Sequence, residues 1–349
     1  MKPININTLI LHIGSHKTGS TYLQKVFKDN RLLLAEKSLL YPITGCGILF
    51  GHHEIFNAIR TKNNKIDSLM QQLADEHANN YNTIFLSSEN FEYLAPDEIN
   101  ELMSYFDYNE IKIIYFYRAW TPLCYAMWQE EIKHGSTTEY ESYCLKHIAY
   151  PLMSNLLNYS RIMDNYEKIV GHENLLIASY DSIIKIDLVD FLFSIIGLEN
   201  AQVEGRGERV NSSFDPFLVE TIRVMNEFAR NHNFKPSYLP KHMYINKAKS
   251  GKDGLVRDER IREAMSNYLT KSHDLTQTLA FRYIYGMFFE KYSSCFVDGT
   301  NDLKEFLKKT YRTPYYVSSG YLLNNRAVND LYSAWLEIED DIEKKIRSI

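Results

Sequence analysis

At 349 residues, 45% of them hydrophobic, the chain carries enough apolar side chain for one large α/β domain or two ordinary ones. A net charge of −5 with no long basic tract argues against nucleic acid as the main partner. Four scattered cysteines (Cys46, Cys124, Cys144, Cys295) show no C-x-x-C spacing, which fits a reducing compartment without structural zinc. No stretch approaches the roughly 18–20 apolar residues of a membrane span. The apolar run after Lys2 is short and lacks a small-residue cleavage site, so a soluble, cytoplasmic chain is expected.

In chain order, an apolar run over Thr8–Ile13 predicts a buried strand, then a glycine-bearing loop, then a helix over Thr21–Glu36. Further strands are expected at Thr83–Ser88, Ile111–Tyr117 and Leu175–Ser179. Helices are expected at Ile66–Ala78, Pro96–Phe106, Pro122–His134, Ser154–Val170 (ended by Gly171) and Ile186–Ile196. Strands alternating with helices predict an α/β fold: a P-loop-like, three-layer arrangement with a central parallel sheet flanked by helices. Beyond Gly197 the pattern is helical, over Phe217–His232, Asp258–Leu269, Asp274–Phe289 and Asn329–Ile346, and is broken by Lys247–Gly254 and Thr313–Gly320. The expected organisation is an α/β core over 1–210 and a mainly helical part over 211–349 packed on it, possible as one continuous domain.

The first loop reads Gly14-Ser15-His16-Lys17-Thr18-Gly19-Ser20-Thr21. Strand, glycine loop and helix N-terminus together form a phosphate cradle. The spacing nearly matches G-x-x-x-x-G-K-[ST], but Ser20 stands where an NTPase keeps its lysine, and the lysine sits at 17. There it would approach the bound group from the loop mouth and neutralise charge on a bridging oxygen as that bond breaks. A tight turn with a solvated lysine accounts equally well for the loop taken alone.

Ligands of open α/β sheets bind at the carboxyl ends of strands, so the residues after each strand matter. The second predicted strand leads to Ser87-Ser88-Glu89-Asn90, where Glu89 could take a proton from an attacking hydroxyl or simply favour a helix dipole. The third ends in Arg118, able to fork onto a phosphate or to make a surface ion pair. His16 could donate to a sulfonyl or phosphoryl oxygen. His52 and His53 could face an acceptor, and Trp120 could cover an adenine or pack.

Together these segments resemble sulfotransferases that use 3′-phosphoadenosine-5′-phosphosulfate, especially bacterial members related to carbohydrate sulfotransferases. Lys17-Thr18-Gly19-Ser20-Thr21 resembles their 5′-phosphosulfate loop. Leu86–Phe91 resembles the segment supplying the base, and Ile113–Arg118 the strand ending in the 3′-phosphate arginine. Tyr166–Ile177 resembles a later helix, turn and strand, and Val210–Ser213 a short motif beyond the core. The likeness spans about residues 7–230. It implies Lys17, Glu89 and His16 as catalytic residues. It implies Ser15, Lys17, Thr18, Gly19, Ser20, Thr21 and Arg118 as donor-binding residues. A hydroxyl acceptor on a glycan, adenosine 3′,5′-bisphosphate as product and no metal are also implied.

One departure is that Ala126 stands where such enzymes keep a serine for the 3′-phosphate. Losing that bond would weaken donor binding by about ten- to a hundred-fold. Tyr125, or an arginine of the 206–209 loop, is the candidate replacement. Two alternatives are a kinase-like P-loop phosphotransferase and a non-catalytic nucleotide-binding homologue.

Overall fold

The structure, a computed structural model, describes residues 2–47, 50–62, 64–78, 81–199, 201–207, 216–231 and 278–299, with short further stretches that include 269–271 and 315–317. The chain divides into two units: Met1–Trp120, Pro151–Asn211 and Thr278–Thr310 form one, and Thr121–Tyr150, Ser212–Gln277 and Tyr311–Ile349 the other.

The first unit has a parallel sheet with flanking helices, as expected. Its strands are β1 (Ile4–His12), β2 (Leu39–Leu40), β3 (Thr83–Ser87), β4 (Phe106–Tyr117) and β5 (Leu175–Ser179). Their order is β2-β3-β1-β4-β5, all parallel, with Leu9 opposite Ile84 on one side and Ile111 on the other. After β1 the chain builds the β2/β3 side, then crosses to β4. The switch point therefore lies at the carboxyl end of β1.

Helix α1 (Ser20–Asp29) and helix α2 (Arg31–Glu36) replace the single expected helix. Asn30 breaks it: its side chain turns back to donate to the Val26 carbonyl at 2.8 Å and also reaches the Glu204 carbonyl at 3.1 Å. Sequence reading did not foresee α3 (His53–Arg60). It is followed by α4 (Lys65–His77) and α5 (Pro96–Ser104), where Pro96 sits in the first turn and Glu98 accepts from the Ala95 amide at 2.8 Å. The expected Pro96–Phe106 helix ends earlier because Phe106 already belongs to β4. That strand starts with exposed polar residues (Asp107, Glu110) and becomes fully buried only toward Tyr117.

Helix α6 (Trp120–Lys133) starts at the division between the units, and α7 (Tyr140–Ala149) lies in the second. Returning to the first unit, α8 (Tyr159–Val170) is capped by Asn158 and ends at Gly171 with φ 89°. A short α9 (Tyr180–Ile183) follows β5. Asp187 then caps α10 (Leu188–Ile196), accepting from Val189 N at 2.8 Å.

One face of the sheet packs against α1 and α10: Ile10, Phe85, Ile114 and Phe116 meet Leu23, Phe27, Leu188 and Leu192. Phe27 stacks on Phe85 at 4.4 Å and meets Phe193 edge-on. Near Tyr117 and Tyr159, the last described helix of this unit, α12 (Leu279–Lys291), contributes Tyr285 and Phe288 to an aromatic cluster.

The second unit holds the body of α6, α7, α11 (Pro216–Asn231), and a pair of antiparallel strands, β6 (Leu269–Lys271) and β7 (Tyr315–Val317). Asn226 clasps the turn after α6 by donating to the carbonyls of Ile132 and Ser136. The sequence motif Val210–Ser213, Arg209, the break at Lys247–Gly254 and the Asn329–Ile346 helix fall outside the described residues, as does most of Asp258–Leu269.

Candidate functional site

The loop after β1 starts as an extension of the sheet. Ile13 and Ser15 donate to the carbonyls of Ile114 and Phe116, and Phe116 donates back to Gly14. The backbone then leaves the strand through Lys17 (φ 61°) and Gly19 (φ 78°), both left-handed. For lysine that conformation costs free energy, and it is held here by the surrounding bonds. The Thr18 hydroxyl closes the loop onto the Ser15 carbonyl at 2.6 Å.

Gly19 is the N-cap of α1, and no described side chain caps this helix or places an acid in its first turn. Its free amides and dipole therefore point positive charge into the loop. A Cβ at Gly19 would lie 2.7 Å from Leu188 Cδ2, so the cradle requires glycine for space as well as for φ.

Arg118, just past β4, donates from Nη1 to the Lys17 carbonyl at 2.9 Å. Its guanidinium lies over the Tyr180 ring at 5.3 Å, and Nε, buried without a hydrogen bond, lies 3.9 Å from Asp181. Asp181 also accepts from the Ala119 amide, and Tyr159 donates its hydroxyl to the Arg118 carbonyl at 2.5 Å. The residues after β1, β4 and β5 thus meet, with a cation tied directly to the loop.

Under the loop, Glu89–Tyr93 forms a 3₁₀ turn after β3. Residues three apart eclipse in such a turn, so Glu89 and Glu92 both face the loop. Glu92 is buried against it, with Oε1 at 3.6 Å from His16 Nε2 and Oε2 where a Cβ on Gly14 would press. Burial pushes the Glu92 carboxyl up to about 8, against the pull of bonds from Tyr93 and the His16 amide, and Glu89 adds to the rise.

Glu89 behaves oppositely. Burial works against its charge, but His53, its own amide, the Gln24 amide and His16 outweigh it and hold it below the ordinary carboxylate range. Gln24 Nε2 donates to it at 2.9 Å, and His53 Nε2 lies 3.8 Å away with Nδ1 on the Ser88 hydroxyl. The two shifts run in opposite directions, favouring the protonated form of Glu92 and the charged form of Glu89. His12 and His52 are interior groups, lowered to about 4 and about 3 by burial, and both bond Ser87.

Of the sequence-derived residues, the structure brings together Ser15, His16, Lys17, Thr18, Gly19, Ser20 and Thr21 with Glu89 and Arg118. His53 faces Glu89, whereas His52 is structural. Trp120 packs on Phe281 and is buried. Tyr125 belongs to the second unit, where its ring stacks on Trp128 and meets Tyr140 edge-on. Arg206 pairs with Asp190 beside the Gly207 amide, which donates to Tyr22. Sequence reading missed Gln24, Glu92, Tyr159 and Asp181. Gln24 lies one helical turn past Ser20 and could have been placed by that spacing alone.

The arrangement fits a phosphate-like anion: a helix N-terminus without a side-chain cap, a loop turned by Gly19, and an arginine bonded to that loop. Among the described residues, no group of three His, Cys, Asp or Glu side chains is placed to hold a metal, and no helix is long and apolar enough to cross a membrane.

No family model and no curated protein sequence matches this chain. Among solved structures it is similar to a sulfotransferase from Alicyclobacillus acidocaldarius (TM-score 0.37, 12% identity, covering 75% of this chain and 99% of that one). It is also similar to the sulfotransferase domain of the Synechococcus PCC 7002 olefin synthase (TM-score 0.37, 14% identity, 82% and 95%). A third similar structure is a sulfotransferase domain from the curacin biosynthetic pathway (TM-score 0.38, 12% identity, 82% and 98%).

Proposed function

We propose that this chain transfers a sulfuryl group from 3′-phosphoadenosine-5′-phosphosulfate to a hydroxyl, with a glycan as the acceptor class. The observation that carries the reading is the tie between Lys17 and Arg118: the loop lysine is held left-handed with its carbonyl bonded to the arginine. In this reading Thr18 to Thr21 and the α1 dipole hold the 5′-phosphate, and Arg118 holds the 3′-phosphate.

The acceptor oxygen attacks sulfur while the bond from sulfur to the bridging oxygen breaks. Glu89, ionised and aimed by Gln24 and His53, takes the acceptor proton. Lys17 compensates the charge growing on the departing phosphate oxygen, and His16 donates to a sulfonyl oxygen. The transferred group carries less charge than a γ-phosphate, so the loop cation suffices. Keeping Glu92 protonated avoids a second negative charge below an anion site.

The test is transfer of radiolabelled sulfate from the donor across a panel of hydroxyl acceptors that includes glycans. Transfer that disappears in K17A supports the reading. Transfer retained in K17A removes the proposed role of the loop.

A further inference from the structure

A second constellation lies at the other end of β5, away from the loop. A 3₁₀ turn at His172–Asn174 leads into the strand, and a 3₁₀ turn at Ser293–Cys295 follows α12. The segment after that second turn runs beside β5: Phe296 bridges to Ile177, and Val297 donates to the Ile177 carbonyl at 2.9 Å. This pairing sets Ser294 against His172.

His172 Nδ1 lies 2.8 Å from Glu167 Oε1, and Nε2 lies 3.0 Å from Ser294 Oγ. Glu167 is itself fixed, by Lys291 Nζ at 2.6 Å and the Tyr292 hydroxyl at 3.2 Å, and the imidazole stacks on Tyr292 at 5.7 Å. A carboxylate at Nδ1 selects the tautomer whose proton is on that nitrogen, leaving the Nε2 lone pair facing the hydroxyl. Nucleophile, base and orienting acid are all within hydrogen-bond reach, and Ser294 is exposed.

We propose that Ser294 is an activated nucleophile, deprotonated by His172 and oriented through Glu167, that accepts the acyl group of a small ester with a good leaving group. The Ser294 oxygen bonds the carbonyl carbon and its proton passes to His172 Nε2. The ester C–O bond breaks, and the departing alkoxide takes that proton. Water then follows the same route, releasing the acid and restoring serine. Cys295 Sγ lies 3.2 Å from the same nitrogen but is buried, and burial pushes its thiol up, so it stays protonated. Nothing in this site depends on the donor loop.

The full chain is treated with a fluorophosphonate probe and the adduct located by mass spectrometry. The expected result is one adduct on Ser294, formed at least tenfold more slowly in H172Q and absent in S294A, with S293A and C295A labelling like the natural chain. S294A changes only an exposed hydroxyl, so it keeps the test decisive if H172Q does not fold. No adduct, an adduct on Ser293 or Cys295, or equal labelling of Ser294 in a folded H172Q overturns the proposal.

Discussion

Two carboxyl groups three residues apart have pKa values shifted in opposite directions, and the cause is their partners. Glu89 receives hydrogen bonds and faces His53, whereas Glu92 is sealed against Gly14 and His16. Because the folded value of Glu92 is raised, its contribution to stability is complete below the ordinary carboxylate range. That contribution is lost as pH rises toward and through about 8. E92Q mimics the protonated form. Urea unfolding should show it more stable than the natural chain at pH 9, by a margin on the order of a few kcal/mol that closes near pH 4. Lys17 offers a second test at this scale. K17A and K17G should both lower kcat by about 10²–10³-fold, as expected on removing a group that stabilises developing charge. K17G should be the more stable of the two by about 1 kcal/mol, because only glycine takes φ 61° without strain.

At the scale of elements, the site depends on how closely α1 approaches α10. Gly19 sits at the contact, with no room for a methyl group against Leu188. G19A should destabilise the fold by about 1–3 kcal/mol. Adding L188A relieves the clash but not the left-handed φ, so thermal unfolding should show only partial recovery. The end of β4 is the other structural joint. R118K keeps the charge but loses the planar fork that reaches the Lys17 carbonyl and lies over Tyr180. Affinity for adenosine 3′,5′-bisphosphate should fall about ten- to a hundred-fold by calorimetry.

Across the molecule, what could be read from sequence follows burial. The carboxyl halves of β1 and β4 are buried on both faces and stand out as apolar runs. Their first halves carry Asn5, Asn7, Asp107 and Glu110 toward solvent, so both strands begin earlier than the apolar pattern suggests. The edge strand β2 has only two residues, too few to show a period. The helix after the loop looked continuous because its apolar spacing does not register the turn at Asn30. The positions of Lys17, Glu89 and Arg118 just past strand ends were legible because the apolar runs before them mark where those strands stop. Glu92 was not assigned, and His53 was placed toward an acceptor rather than beside Glu89, since their positions arise from a 3₁₀ turn and from a helix packed beside it. The proposed function requires a metal-independent site for a 3′-phosphorylated nucleotide at the loop. Calorimetric titration of the full chain with adenosine 3′,5′-bisphosphate in the presence of EDTA tests it most directly. Saturable binding that falls at least tenfold in R118A is expected from that function. No binding, or binding of ATP only when Mg²⁺ is added, would contradict it.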